Sequence, residues 1–205
     1  MEPGILGERA AVILGVSVLL RQEGRLLFEV QKPERWTHTP GGGVIIGIGC
    51  VGGRVEPGES AVEALQREAL EEIGCTILLD RPAEPFSVGA DGAVRPRRPE
   101  EVPEGALFLW EGSGPGFIEG GQVAVFSGTP AGPLNLGDLP AVIGMSHETL
   151  LECGHHPLTI EIVLARGGTI EERQAVPRVA RLAPVDTAEV VVALPDEFRR
   201  RALRR

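Results

Sequence analysis

The chain has 205 residues, a formal charge of −9, and 42% hydrophobic against 24% charged residues. That is the composition of a globular protein able to bury a core without a disulfide scaffold, which excludes global disorder and argues against nucleic-acid binding through a broad positive surface. Five of the 20 basic residues crowd the end (Arg199, Arg200, Arg201, Arg204 and Arg205), and 28 glycines with 17 prolines imply many turns and a long irregular loop.

Cys50, Cys75 and Cys153 cannot all pair and lack dense spacing, which fits a reduced compartment. The apolar run Ala10–Leu20 is about half the length of a membrane helix, and Glu2 and Glu8 stand where a signal peptide would be positive. A cytoplasmic protein with no membrane partner is expected.

In chain order, Ala11–Leu20 and Arg25–Gln31 flank the polar turn Gln22-Glu23-Gly24 and predict a β-hairpin. Gly41–Gly53 is glycine-dense but holds Val44, Ile45, Ile46, Ile48 and Val51, as a strand with a bulge would. After the turn Pro57-Gly58, Ser60 and Glu63 form a capping-box pattern; the helix they open should run to Ile73 and stop at Gly74. Arg81–Gly105 carries five prolines and no period, and is expected to be a long loop. Leu107–Trp110 and Gln122–Phe126 read as strands. Ser146–Cys153 and Pro157–Arg166 read as helices around Gly154-His155-His156. Val179–Leu182 and the valine-rich Glu189–Leu194 read as late strands. The order implies an α/β or α+β fold around one sheet. A single domain over 1–205 is expected, with the Pro-rich loop at about 81–106 and a basic tail at 199–205.

The informative stretch is Gly53–Cys75. At ~100° per residue, Val62, Leu65, Ala69 and Ile73 share one helical face, while Glu68, Glu71 and Glu72 cluster on a neighbouring one. Helix propensity does not ask for three mutually repelling carboxylates. A divalent cation would turn the repulsion into binding, and magnesium takes oxygen ligands while keeping room for phosphate oxygens. Arg67 stands where it could pin Glu59 across the loop.

This segment resembles the signature of Nudix hydrolases, G-x5-E-x7-R-E-U-x-E-E-x-G-U, with U bulky and apolar. Gly53, Glu59, Arg67, Glu68, Glu71, Glu72 and Gly74 fill every fixed position, and the two U positions hold the small Ala69 and Cys75. At typical residue usage, seven chance matches come to roughly 10⁻⁸ per starting point. The resemblance implies an α/β/α sandwich around a mixed β-sheet. It implies Mg²⁺ (or Mn²⁺) held by Glu68, Glu71 and Glu72 with the carbonyl of Gly52, and a structural salt bridge between Glu59 and Arg67. The implied reaction is pyrophosphohydrolysis of a small-molecule nucleoside diphosphate linked to another moiety (a nucleoside triphosphate, nucleotide sugar or ADP-ribose-like compound). The general base varies within the family, either a signature glutamate such as Glu68 or one from a later loop, for which Glu119 and Glu148 are candidates; Glu72 completes the catalytic set. The alternatives are a non-catalytic Nudix ligand-binding or sensor domain, against which the intact carboxylates argue, and prenyl-diphosphate isomerase-like chemistry. A homodimer is left open, and no nucleic-acid polymer is expected as partner.

Other signals compete. Gly47-Ile-Gly49-Cys-Val-Gly52 matches G-x-G-x-x-G, but a dinucleotide-binding turn needs its last glycine at a helix start, and Arg54–Gly58 intervenes. Cys153, His155 and His156 lack a zinc-site spacing. Arg95, Arg97 and Arg98 in the Pro-rich loop are candidates for a phosphate clamp folding over the cleft. Trp36, Phe86 and Trp110 are candidates for stacking a base. With no tyrosine, no proline at position 90 and no coenzyme A motif around Gln31–Gly43, the secondary markers of three Nudix subfamilies are missing.

Overall fold

The computed structural model of the chain describes residues 12–82, 84–112, 118 and 120–203. β1 (Val12–Gln22) and β2 (Arg25–Val30) form the expected hairpin, Leu20 opposite Leu27. Glu23 and Gly24 both have positive φ (49° and 76°), the backbone a two-residue turn needs to follow the strand twist. The glycine-rich segment breaks at Cys50 into β4 (Val44–Gly49) and β5 (Val51–Arg54). β4 pairs with β2 and with β3 (Thr37–His38), whereas β5 crosses to pair with β1.

Next come α1 (Ala61–Ile73), β6 (Ile77–Leu79), β7 (Phe86–Val88), β8 (Val94–Pro96), β9 (Phe108–Glu111), β10 (Gly121–Pro130) and β11 (Ala141–Met145). They are followed by α2 (His147–His155), α3 (Ile160–Ala165), β12 (Thr169–Glu172), β13 (Arg181–Pro184), α4 (Asp186–Ala193) and α5 (Asp196–Leu203). The sheet runs β12-β11-β2-β1-β10-β9-β7-β8, and its centre is a parallel ladder joining Val12–Leu20 to Gly121–Gly128.

Strand alternation divides the core between the two faces. On one face Leu65, Ala69 and Ile73 of α1 join Val16, Val18, Leu20, Ala124 and Phe126. On the other, Leu19, Phe28, Phe108 and Val125 join Leu150, Ile160, Val163, Ala188 and Val191 from α2, α3 and α4. Helices therefore cover both faces of a mixed sheet, an α/β/α sandwich.

Two expectations need correction. Glu189–Leu194 belongs to a helix: Thr187, Ala188, Val191 and Leu194 are buried at helical spacing, and that packing outweighs the strand preference of valine. Arg81–Gly105 is not without structure. It contains β7, β8 and a short 3₁₀ turn at Pro99–Glu101. Phe86 stacks on Phe108 with ring centroids 4.9 Å apart, and Pro96 is tolerated because β8 ends the sheet.

Candidate active site

α1 is set by its ends. The Ser60 hydroxyl accepts the Glu63 N–H (3.2 Å), the Glu63 carboxylate accepts the Ser60 N–H (2.8 Å), and Gly74 closes the helix at φ 68°. Arg67 then ties helix, loop and sheet together. It donates to both oxygens of Glu59 (2.8 and 3.1 Å), to the carbonyl of Arg54 (2.9 Å) and to Glu68 (2.9 Å). This bonding holds the Glu59 carboxyl below its usual range.

The helix borders a cleft of about 430 Å³. Its floor is the Gly15–Ser17 stretch of β1 and the paired Gly52-Gly53 stretch of β5; Val123, Leu139 and Trp110 form an apolar side; Lys32, Arg35 and Arg54 bring positive charge. Glu72 enters from α1, and its carboxylate accepts the N–H of Gly52 (3.1 Å). Glu29 enters from β2. Burial raises both carboxyls, Glu29 to about 7 with further repulsion from Asp186, and Glu72 to about 9 with further repulsion from Glu29.

The glycines explain how the acidic groups fit. A Cβ at Gly49 would lie 2.8 Å from Oε1 of Glu29, one at Gly53 would lie 2.2 Å from the Glu68 carboxylate, and one at Gly47 would lie 2.3 Å from Oε1 of Gln31. The bare backbone of β4 and β5 is thus the bed on which these side chains lie. Because Gly47, Gly49 and Gly52 all sit in strands ahead of α1, no dinucleotide-binding helix start follows them.

The family model for the NUDIX domain matches residues 11–102. These residues are a Nudix domain. A search of curated proteins gave no match. Similar solved structures include a Nudix-family hydrolase from Clostridium perfringens (16% identity, covering 68% of this chain and 83% of that one, TM-score 0.44). Others are the MutT protein from Methanosarcina mazei (19%, 69% and 81%, TM-score 0.38) and DR0079 from Deinococcus radiodurans (16%, 92% and 87%, TM-score 0.43). At such scores these are loose likenesses, and the assignment rests on the family model and the residues themselves.

A Nudix domain implies a divalent cation, and the donor chemistry here fits one. The groups presented are hard carboxylate oxygens, seated where a side chain at Gly49 or Gly53 would displace them. Among the described residues, no three acidic, histidine or cysteine side chains are already gathered tightly enough to enclose an ion. Glu72 faces the Nudix cleft, and Glu68 lies across Gly53 at its wall, 16% exposed and bonded to Arg67. Glu71 is 59% exposed, 3.6 Å from Arg67, and does not line the cleft.

The remaining sequence candidates scatter. Glu119 lies outside the described residues. Glu148 sits in the exposed first turn of α2 beside His147. Trp36 donates its indole N–H to the carbonyl of Gln31 (2.6 Å) and packs against the core rather than lining the cleft. Arg95, Arg97 and Arg98 do not line it either: Arg95 faces Asp91, Arg97 donates to Ser87 (3.0 Å), and Arg98 pairs with Glu101 (3.0 Å). The structure therefore gives no support to a clamp at Arg97 and Arg98. Phe86 is core, while Trp110 does reach the cleft, its indole N–H donating to Thr187 (3.0 Å). Cys153 is buried in α2, and that helix runs on through His155.

Glu29, Lys32, Arg35 and Asp186 were missed, because ladder pairing and loop return bring them to the cleft. Lys32 is bonded to Asp138, which follows a segment whose Gly137 N–H caps the Glu72 carbonyl (2.9 Å). Asp186 has φ 50°, rare for a non-glycine residue, and borders both this cleft and a neighbouring hollow of about 340 Å³ that shares Trp110. That φ shows only in the folded backbone; in the sequence Asp186 is one acid after Pro184-Val185. Among the described residues no helix is long and apolar enough to cross a membrane.

Proposed function

We propose that this Nudix domain is a magnesium- or manganese-dependent phosphoanhydride hydrolase of a nucleoside diphosphate linked to another group, with the whole chain 1–205 acting as one unit. One observation carries the reading: the Arg67-braced helix delivers Glu72 into a cleft that also presents Lys32, Arg35 and Arg54. An acidic protein that handles phosphates needs such cations; Lys32 and Arg35 supply them from the turn after β2, and Arg54 from the end of β5.

The bound ion supplies positive charge for the phosphate oxygens and makes water a better nucleophile. Glu72 is oriented by the Gly52 N–H and needs no rearrangement to face the reacting phosphate. Lys32, Arg35 and Arg54 bind and orient the diphosphate. A water oxygen attacks phosphorus, the bond to the bridging oxygen breaks, the leaving phosphate keeps that oxygen, and the water's proton passes to a helix carboxylate, assigned here to Glu68. The hollow beyond Trp110 is the place for the group carried by the diphosphate.

The test is turnover of a panel of nucleoside diphosphate derivatives with Mg²⁺, scored by product. Chelator should abolish activity, and Glu68→Gln and Glu72→Gln should each lower kcat at least ~10²-fold in folded protein. Turnover that survives chelator or both variants overturns the reading.

A further inference from the structure

We propose that Glu29, on strand β2 and outside the signature helix, is a metal-binding carboxylate of this domain, acting opposite Glu72 in the place the signature gives to Glu71. The inference rests on the metal-dependent reading above.

The first support is position. On β2, Leu26, Phe28 and Val30 enter one core, while Leu27 joins the core beneath α1. Strand alternation puts Glu29 on the same side as Leu27, at the level where α1 supplies Glu72. In the ladder Glu29 pairs with Gly49, the one residue type that leaves its carboxylate room to lie over the neighbouring strand. The pairing is a built seat.

The second support is the lack of a protein partner. Among the described residues Glu29 makes no side-chain hydrogen bond or ion pair; it is half-buried and its carboxylate lines the cleft. The charges that surround it are Asp186 and Asp138, which repel, and Arg35 and Lys32, which attract from a distance; Lys32 is already bonded to Asp138. A half-buried carboxylate set among like charges with no cation bonded to it is costly, and an apolar side chain would serve sheet packing better. A cation in the cleft relieves that cost for Glu29 and Glu72 together.

The third support is what the helix offers instead. Glu71 is largely in solvent near Arg67. Magnesium is commonly held by one or two carboxylates plus waters and substrate phosphates. Glu72 and Glu29 suffice, and Glu71 is dispensable.

The experiment is Mn²⁺ binding to the full-length protein without substrate, measured by calorimetry and by the electron paramagnetic resonance signal of free Mn²⁺. Wild type, Glu29→Gln, Glu71→Gln and Glu72→Gln are compared. Glu29→Gln should weaken Mn²⁺ at least roughly tenfold, as Glu72→Gln does, and should lose the rise in melting temperature that Mn²⁺ gives the wild type. Glu71→Gln should change affinity less than about threefold. Should Glu29→Gln fail to fold, Glu29→Asp, which keeps the charge and withdraws it by one methylene, should show the same weakening. Wild-type affinity in the Glu29 variants alongside loss in Glu72→Gln overturns the proposal and leaves the hydrolase reading standing. Loss of binding in Glu71→Gln overturns it as well. A wild type that binds no Mn²⁺ overturns both.

Discussion

Gly52 is where the sheet and the site share one backbone atom set, and Gly52→Ala should damage both. Its φ is 154°, a region that costs a side-chain-bearing residue about 1–3 kcal/mol. The added Cβ would also lie 2.1 Å from the carbonyl oxygen of Val16 and 2.7 Å from Cα of Ser17. Reaching an ordinary 3.4 Å contact means a shift of 1.3 Å between two strands whose ladder pairs Ser17 with Gly52. Overpacking of that kind costs a further ~1–3 kcal/mol. The sum, about 2–6 kcal/mol, is a large part of the ~5–15 kcal/mol that holds a domain folded. Gly53→Ala is the control. Its Cβ meets the end of the Glu68 side chain, which can swing away, so stability should fall by less than about 1 kcal/mol while kcat drops. Equilibrium unfolding in urea reads the first quantity and steady-state turnover the second. A Gly52→Ala protein within about 1 kcal/mol of wild type would refute the strand-clash reasoning.

Glu29 and Glu72 have carboxyls raised by burial above the unfolded value, so the folded metal-free protein holds extra protons between about pH 4.5 and 9. Their contribution is complete below pH 4.5 and is lost as pH climbs through 7 and towards 9; melting temperatures should fall along that range and fall less with Mg²⁺ present, and equal pH slopes with and without Mg²⁺ would contradict this. Ser60→Ala removes the reciprocal cap of α1 and should lower the melting temperature by roughly 2–4 °C in a thermal scan. Lys32→Ala and Arg35→Ala should raise KM more than they lower kcat, the pattern of lost uniform binding, whereas Arg97→Ala with Arg98→Ala should leave KM unchanged in the same assay.

What could be read from the sequence was what neighbouring residues decide among themselves. The hairpin around Glu23-Gly24, the cap at Ser60 and the stop at Gly74 are local bargains, and each stands where periodicity and turn chemistry put it. The valine-rich segment misled because β-branched residues favour strands only when a ladder is available, and here a helix buries Val191 against the sheet. β7 and β8 are three residues each, too short for a period to show among their prolines. Glu29 was hidden for a different reason. In sequence it is one polar residue in a half-buried strand, and only its pairing with Gly49, 20 positions away, gives it a seat beside α1. The positive charge of the cleft was likewise sought in the densest arginine cluster, but Arg97 and Arg98 are engaged at the sheet edge, and the cations come from Lys32, Arg35 and Arg54.

The parallel ladder between β1 and β10 governs how the chain can assemble. Its partners lie roughly a hundred residues apart, so a long loop holding the entire signature helix must close before the central rungs form, and that closure entropy is met late and slowly. The stretch matched by the family model ends at residue 102, before β10 begins. A fragment cut there would carry every signature carboxylate, yet its first strand would show a raw apolar edge, and Val123 would be missing from the cleft wall. The chemistry can be written in the first half of the chain, but the surface that makes it work is finished only when the second half returns to the middle of the sheet.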